Sequence, residues 1–338
     1  MHLYYRDMVL SHLFIPSYMK LEGIDISRID GGCNTGTTLS NFSKDKLTLC
    51  DTLFIDYDEK IKDLSLYQEI IDSAKEIDKE VIVSRDLAQK LDNTPPSWPK
   101  SAPVLVNSMS DRLYEIRVPV ITVVSQGPRT DQLAVELAMR SHFVKQGYEV
   151  RQIGSHDVCK LFGFQSMPGY LYEPREAYDK TMWFNHYVKD LTERKQPELL
   201  IIGVPGPFMK YNDRLLNGMG MLPFIICNGV KSDISVACVY YNTYKKSFFE
   251  DINLFCQYRL NGAVQFFNIA NTRVTPDSSS GMYKMIYTDL DSKFVLQGIS
   301  NNIDAGDSYL FNSLDCKSID KACHGVQYAL AENVDYVV

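Results

Sequence analysis

The strongest constraint on the fold is one contiguous unit, Val118 to Ile153. Val118-Pro-Val-Ile-Thr-Val-Val124 is a continuous β-branched run, as expected of a strand buried on both faces. Ser125-Gln-Gly-Pro-Arg-Thr130 reads as a turn. Asp131 to Gln146 reads as an amphipathic helix with Leu133, Leu137, Phe143 and Val144 on its apolar side, Gly147 as its C-cap, and Tyr148 to Ile153 as the next strand.

The same rhythm recurs on either side. After a short apolar start, Met1 to Tyr5, the segment Leu53-Phe-Ile-Asp-Tyr57 is a strand candidate. Leu66, Ile70, Ile71, Ala74 and Ile77 recur at helical spacing, and Glu80-Val-Ile-Val-Ser84 reads as a second strand. Downstream, Tyr178 to Lys195, Lys246 to Arg259 and Ser318 to Glu332 read as helices. Pro197 to Gly206, Phe224-Ile-Ile-Cys227, Ile234 to Tyr240 and Val264 to Asn268 read as strands. Alternating strands and helices predict an α/β protein with mostly parallel sheets and helices on both faces.

Between Asp92 and Pro103 four prolines fall in a short polar stretch, which forbids a continuing helix or a central strand. With 338 residues available, the expected layout is two Rossmann-like or P-loop-like domains. The N-terminal one spans 1–92, a Pro-rich linker 93–116, and a larger C-terminal degenerate P-loop-like domain 117–338.

Charge and cysteine usage exclude several classes of function. Thirty-five Lys and Arg against 42 Asp and Glu give a net charge of −7, which argues against a nucleic-acid binder, since phosphate affinity is built from clustered cations. No apolar run approaches the roughly 18 residues of a membrane span. The eight cysteines contain no C-x-x-C pair, so zinc-ribbon and thioredoxin-type motifs are ruled out by spacing. Nothing at the N-terminus resembles a secretion signal, and scattered thiols fit a reducing, cytoplasmic location.

The strand-loop-helix unit is where a phosphate-binding loop would sit. Aligned with G-x-x-x-x-G-K-S/T, it reads Ser125-Gln-Gly-Pro-Arg-Thr-Asp131-Gln132. Both framing glycines, the lysine and the magnesium-binding hydroxyl are missing, and Asp131 stands in the lysine position, where its charge would repel a phosphate. The helix N-terminus could still receive an anion from Ser125, Gln126, Gly127, Arg129 and Thr130. Alternatively, Thr130 and Asp131 simply cap the helix.

Gly203-Val-Pro-Gly-Pro-Phe-Met-Lys-Tyr-Asn-Asp213 follows another apolar strand, at a carboxyl end where open α/β sheets place ligands. Gly203, Pro205, Gly206 and Lys210 are therefore candidates for the second edge of an interdomain cleft, with Asp213 as its base. The densest glycine and hydroxyl cluster, Asp30 to Thr38, offers Gly31, Gly32, Asn34 and Thr35 for ligand approach. Cys33, in the same cluster, is the cysteine best placed to react.

His156, Asp157 and Cys159 follow a strand, but metal ligation there would have to recruit His186. Cys316 and the pair Cys323-His324 lack a partner cluster, so spacing predicts no metal site. Tyr170, Tyr172, Tyr178, Trp183, Phe184 and Tyr187 form an aromatic-rich segment suited either to core or to a peptide groove. No signature names a cofactor.

Several of these stretches together resemble a known family. They are Ser125 to Gln132, Gly147 to Ser155, Leu161-Phe-Gly-Phe164, Phe184-Asn-His-Tyr-Val-Lys-Asp190 and Pro197 to Gly206, and they are similar to clostridial peptide maturation system proteins. The resemblance spans most of the chain and is densest between Val118 and Asn271. It implies an accessory role beside a precursor peptide and a radical SAM maturase in natural-product clusters, without supplying a reaction.

The layout also resembles a Rossmann-like domain joined to a P-loop domain of the dethiobiotin-synthetase type, whose nucleotide chemistry Thr130, Asp131 and Gln132 do not support. Three functional expectations follow. The first is a binding protein for peptide, maturase or small ligand; the second is a transferase or ligase acting on a nucleotide or anionic substrate. The third, drawn from 12 Met, 21 Tyr and 16 Phe, is a structural homodimer.

Overall fold

The computed structural model describes residues 10–26, 36–58, 61, 63–91, 112–277, 284–301 and 303–334. The chain divides into two compact units: Met1–Pro103 with Lys160–Gly163, and Val104–Cys159 with Phe164–Val338. The first three residue stretches and the fourth contain most of the smaller unit; the sequence candidates Gly31, Gly32, Cys33, Asn34 and Thr35, and the Met1 to Tyr5 start, lie outside the described residues.

In the smaller unit, β1 (Leu13–Ile15) pairs in parallel with β2 (Leu39–Asn41), and β3 (Thr52–Ile55) pairs in parallel with β4 (Glu80–Val83). Among the described residues, the helices α1 (Lys44–Leu47), α2 (Ser65–Glu76) and α3 (Arg85–Ala88) accompany them. Helix α2 buries Tyr67, Ile71 and Ala74 against Leu53, Ile55, Val81 and Val83. Its expected apolar positions Leu66 and Ile77 are exposed.

The larger unit is built on seven parallel strands: β5 (Val120–Ser125), β6 (Val150–Gly154), β7 (Gln165–Ser166), β8 (Leu199–Pro207), β9 (Ile234–Val239), β10 (Val264–Ile269) and β13 (Tyr309–Phe311). Their order is β13-β10-β9-β5-β8-β6-β7. Every residue of the central strand β5 is buried. Alternation sends Val120 and Val124 into one core layer and Ile121 and Val123 into the other.

One layer is covered by α5 (Ala177–Lys195), α6 (Met221–Gly229) and α7 (Lys246–Arg259), through Phe184, Val188, Ile226, Phe249 and Cys256. Helix α8 (Ser292–Asn301) adds Val295 to it. The opposite layer is covered by α4 (Gln132–Lys145) and α9 (Cys316–Val334). This is the α/β fold with a parallel sheet and helices on both faces that strand and helix alternation predicts.

Two local expectations need correction, and one element is new. Phe224 to Cys227 is not a strand but the middle of α6. A short apolar run cannot separate buried helix from buried strand by periodicity, and here a helix is needed to cross from β8 to its parallel successor β9. The buried stripe of α4 is Val135, Met139 and Phe143, while Val144 is exposed. The antiparallel pair β11 (Thr272–Asp277) and β12 (Lys284–Asp289) is an addition that sequence reading does not anticipate. Among the described residues no helix is long and apolar enough to cross a membrane.

Candidate functional site

Strand order locates the site. From β5 the chain passes to β6 on one side of it, and later reaches β9 on the other, so the carboxyl ends of β5 and β9 flank a topological switch point, where open α/β sheets bind ligands. A cavity of about 240 Å³ lies there. Gln126 lines it from the end of β5, and Tyr240, Tyr241, Asn242 and Tyr244 from the end of β9. Tyr211 enters from the segment after β8, and Phe248 and Val274 complete the wall. None of these side chains is charged.

The loop between β5 and α4 is held by polar side chains. Gln126 N–H continues the sheet by donating to Cys238 O (2.8 Å), and Gln126 Oε1 accepts from Tyr240 N–H (3.1 Å). The Tyr240 hydroxyl donates to Pro128 O (2.9 Å), and the Thr130 hydroxyl to Gly127 O (2.9 Å). Asn268 Nδ2 donates to Thr130 O (3.0 Å). Gln132 Nε2 donates to both Val123 O and Val204 O at 2.8 Å, tying the first turn of α4 to two strands. Arg129 and Asp131 both adopt left-handed backbone, with φ of 61° and 57°, a conformation uncommon outside glycine and stored where surrounding structure enforces it.

Capping of α4 by Thr130 and Asp131 is not what forms. Asp131 stands at the N-cap but makes no side-chain cap hydrogen bond. Its carboxylate instead accepts from Asn271 N–H (3.0 Å). Burial pushes the Asp131 carboxyl up to about 6, partly offset by that hydrogen bond and reinforced by the charge of Asp289. Arg129 lies over the Tyr287 ring (5.3 Å to its centroid) and 3.9 Å from Asp289, so its charge is already engaged.

The second expected edge, Gly203 to Lys210, lies in the same unit as the loop, not across a domain boundary. Ser125 Oγ donates to Gly206 O (3.4 Å), and Phe208 N–H to Ser125 O (2.8 Å), so Ser125 and Gly206 do come together. Gly203 and Pro205 are buried inside β8. Gly203 makes room for Glu136 rather than for a ligand: a Cβ there would lie 2.1 Å from the Glu136 carboxyl carbon. Lys210 pairs with Asp213 at an exposed site. The hydrogen bond and charge of Lys210 hold the Asp213 carboxyl below its ordinary range, which unsuits it as a base.

Glu136 is the group that sequence reading misses. It is fully buried in the second turn of α4 and accepts from the Ser155 hydroxyl, from Ser155 N–H (3.2 Å) and from Gln152 Nε2 (3.3 Å). Burial raises its carboxyl to about 7, against the lowering effect of those hydrogen bonds. His156 Nδ1 lies 2.6 Å from Ser155 Oγ. With the hydroxyl proton given to Glu136, Nδ1–H of His156 is the donor to Ser155, and a hydrogen-bonded line runs from the buried acid to an exposed imidazole.

His156 and His186 share no group of three metal-ligating side chains among the described residues. The aromatic segment is divided: Phe184 is fully buried, Tyr170 and Tyr187 pack part-buried against the core, Tyr170 edge-on to Trp183 and Tyr187 donating to Gln165 Oε1, whereas Tyr172 and Tyr178 are exposed. The aromatic pocket is instead formed by Tyr211, Tyr240 and Tyr244. Its signal in the sequence is Tyr240-Tyr-Asn-Thr-Tyr244 directly after a buried strand.

No known family profile matches the chain, and no curated protein matches it. Among solved structures, a DUF1611 family protein from Anabaena variabilis is similar over 98% of this chain and 93% of its own, with a TM-score of 0.61 and 11% identity. A pseudomurein peptide ligase type C from Methanothermus fervidus matches 65% of this chain and 30% of its own at a TM-score of 0.22 and 9% identity. A GTPase in apo form from Pyrococcus abyssi matches 43% and 64% at 0.26 and 12%. At 11% identity the likeness to the Anabaena protein is one of fold, extending over nearly the whole of both chains.

Proposed function

We propose that the protein is an accessory component in the maturation of a ribosomally synthesised peptide and that it acts by binding. The cavity at the carboxyl ends of β5 and β9 would take a residue or two of the precursor peptide. The observation that carries this reading is the chemistry of the lining: tyrosine rings and carboxamides with no charged side chain. Phenol and amide groups pair with peptide N–H and C=O, and aromatic faces take apolar side chains. A cavity of about 240 Å³ is below the roughly 300–1,000 Å³ of sites that enclose a drug-sized ligand, and so suits part of a chain better than a whole cofactor.

A cytoplasmic location and contact with a radical SAM maturase belong to the same proposal. Capture on immobilised precursor peptide, and separately on the maturase encoded beside it, tests the reading. The expected result is retention by at least one of them, and no retention by either at about 50 µM contradicts it.

A second reading, an enzyme acting on a nucleotide or another anionic substrate, draws on the line from Glu136 through Ser155 to His156. A buried acid raised to about 7 can donate or accept a proton near neutrality. A thermal-shift screen with nucleotides and divalent metals separates the readings, because a ligand present at 100 times its Kd stabilises by about 2.7 kcal/mol. A shift with any nucleotide favours the enzyme; a flat screen favours the binding protein.

A further inference from the structure

We infer that His142, Asp320 and His324 form a binding site for a divalent transition cation of the zinc class, joining helices α4 and α9. Their ligand atoms all lie within 4.8 Å of one another, although His142 is separated from the other two by more than half of the larger unit's sequence. Asp320 and His324 are four residues apart on α9, the spacing that puts two side chains on one helix face. His142 reaches them from the last turn of α4. Its ring meets that of His324 edge-on, 4.6 Å between centroids.

The geometry is close to that of a formed site. Ligand atoms around a tetrahedral zinc at ~2.0–2.1 Å stand ~3.3 Å apart. His324 Nε2 and Asp320 Oδ2 are 3.9 Å apart, so that pair closes by about half an ångström, and the pairs made with His142, within 4.8 Å, close by up to about 1.5 Å. Both side chains are exposed, with 58% and 67% of their surface accessible, and can turn without disturbing the core. His142 is the fixed member, 8% exposed.

Gln327 Oε1 lies 2.8 Å from His142 Nε2; with Nε2–H donated to it, the ring keeps Nδ1 for the cation, the arrangement of outer partners around metal-binding histidines. Two imidazoles and a carboxylate suit Zn²⁺, Co²⁺ or Ni²⁺ rather than Mg²⁺ or Ca²⁺, which demand oxygen ligands. The exposed side leaves further positions to water. Because α4 begins at the loop beside the tyrosine-lined cavity and α9 is the last helix described, a bound cation would fasten the C-terminal helix to the helix that carries Glu136.

The test is a titration of the full, tag-free protein with Co²⁺, followed by its d–d absorption, and with Zn²⁺ by equilibrium dialysis. The expected result is one equivalent bound, with His324→Ala and Asp320→Asn each weakening affinity by at least about tenfold. Both positions are on the surface, so these variants retain the fold, which circular dichroism checks. Cys316→Ser, which removes an exposed thiol, should leave the affinity unchanged. Absence of binding at about 100 µM free zinc, or binding that His324→Ala and Asp320→Asn leave intact, overturns the inference.

Discussion

The hydroxyl of Tyr240 lies directly over Gly127: a Cβ on residue 127 would sit 2.2 Å from it. The contact couples the two strand ends that flank the cavity, because the same hydroxyl is bonded to Pro128 O. The floor of the candidate site is therefore a packed contact between the β5 loop and the end of β9.

This contact gives the first prediction. Gly127→Ala should destabilise the protein by about 1–3 kcal/mol, the range for forcing extra atoms into a packed position. Tyr240→Phe should cost about 1 kcal/mol through the lost hydrogen bond. Since the phenol oxygen is the closest atom to the added methyl, the double variant should be more stable than the sum of the two losses. Urea denaturation of the four proteins in the cycle measures the coupling; strict additivity would deny the contact.

The second prediction concerns pH. The Glu136 carboxyl is raised by burial to about 7 in the folded chain from an ordinary value near ~4.3. Between those limits the folded state holds the extra proton, so this group's stabilising contribution is complete below the unfolded value. It declines as pH rises through about 7 and is lost above. Asp131, raised to about 6, acts in the same sense over a lower window. The stability difference between the parent protein and Glu136→Gln should therefore change by on the order of 3 kcal/mol between pH 4.5 and 8, as read by chemical denaturation at each pH. A flat difference would mean that Glu136 titrates normally.

Gly203 supplies a third. Its missing side chain is the space filled by the Glu136 carboxylate, so Gly203→Ala should cost about 2–4 kcal/mol by overpacking and by displacing a buried acid from its donors. Combining it with Glu136→Ala should recover part of that loss. If Gly203→Ala is neutral by thermal denaturation, the packing described for β8 and α4 is wrong.

A fourth separates this site from the one suggested by motif alone. Lys210 and Asp213 pair with each other on the surface, so Lys210→Ala should change stability by less than about 1 kcal/mol and leave peptide binding untouched. A large loss of binding would restore Lys210 to the site.

How much of this was legible in the chain depends on how each element is buried. Strand β5 is unmistakable because both its faces are core, and Val118 to Val124 carries no polar alternation. Helix α4 is recognisable as a helix, yet its inward face is blurred because it buries Gln132, Glu136 and His142 while exposing Val144. The polar groups that do the most at the site are thus the ones that erase its periodic signature.

The pair β11 and β12 is half-exposed along much of its length, leaving no apolar pattern to read. The cavity draws on Gln126, Tyr211 and the 240–244 segment from three separate connections, and no spacing links these three until the strand order does. Gln126 could be named from sequence because it follows the one strand whose burial is self-evident.

The most direct test of the proposed peptide-binding role is calorimetric titration of the full chain with synthetic copies of any short precursor peptide found encoded next to its gene, with Mg²⁺ and ATP as the comparison. The parent protein should bind the peptide with Kd of about 50 µM or tighter, Tyr211→Ala and Tyr244→Ala should each weaken it by about tenfold, and ATP should give no heat of binding. Binding of ATP without the peptide, or peptide binding indifferent to both tyrosines, would contradict the account.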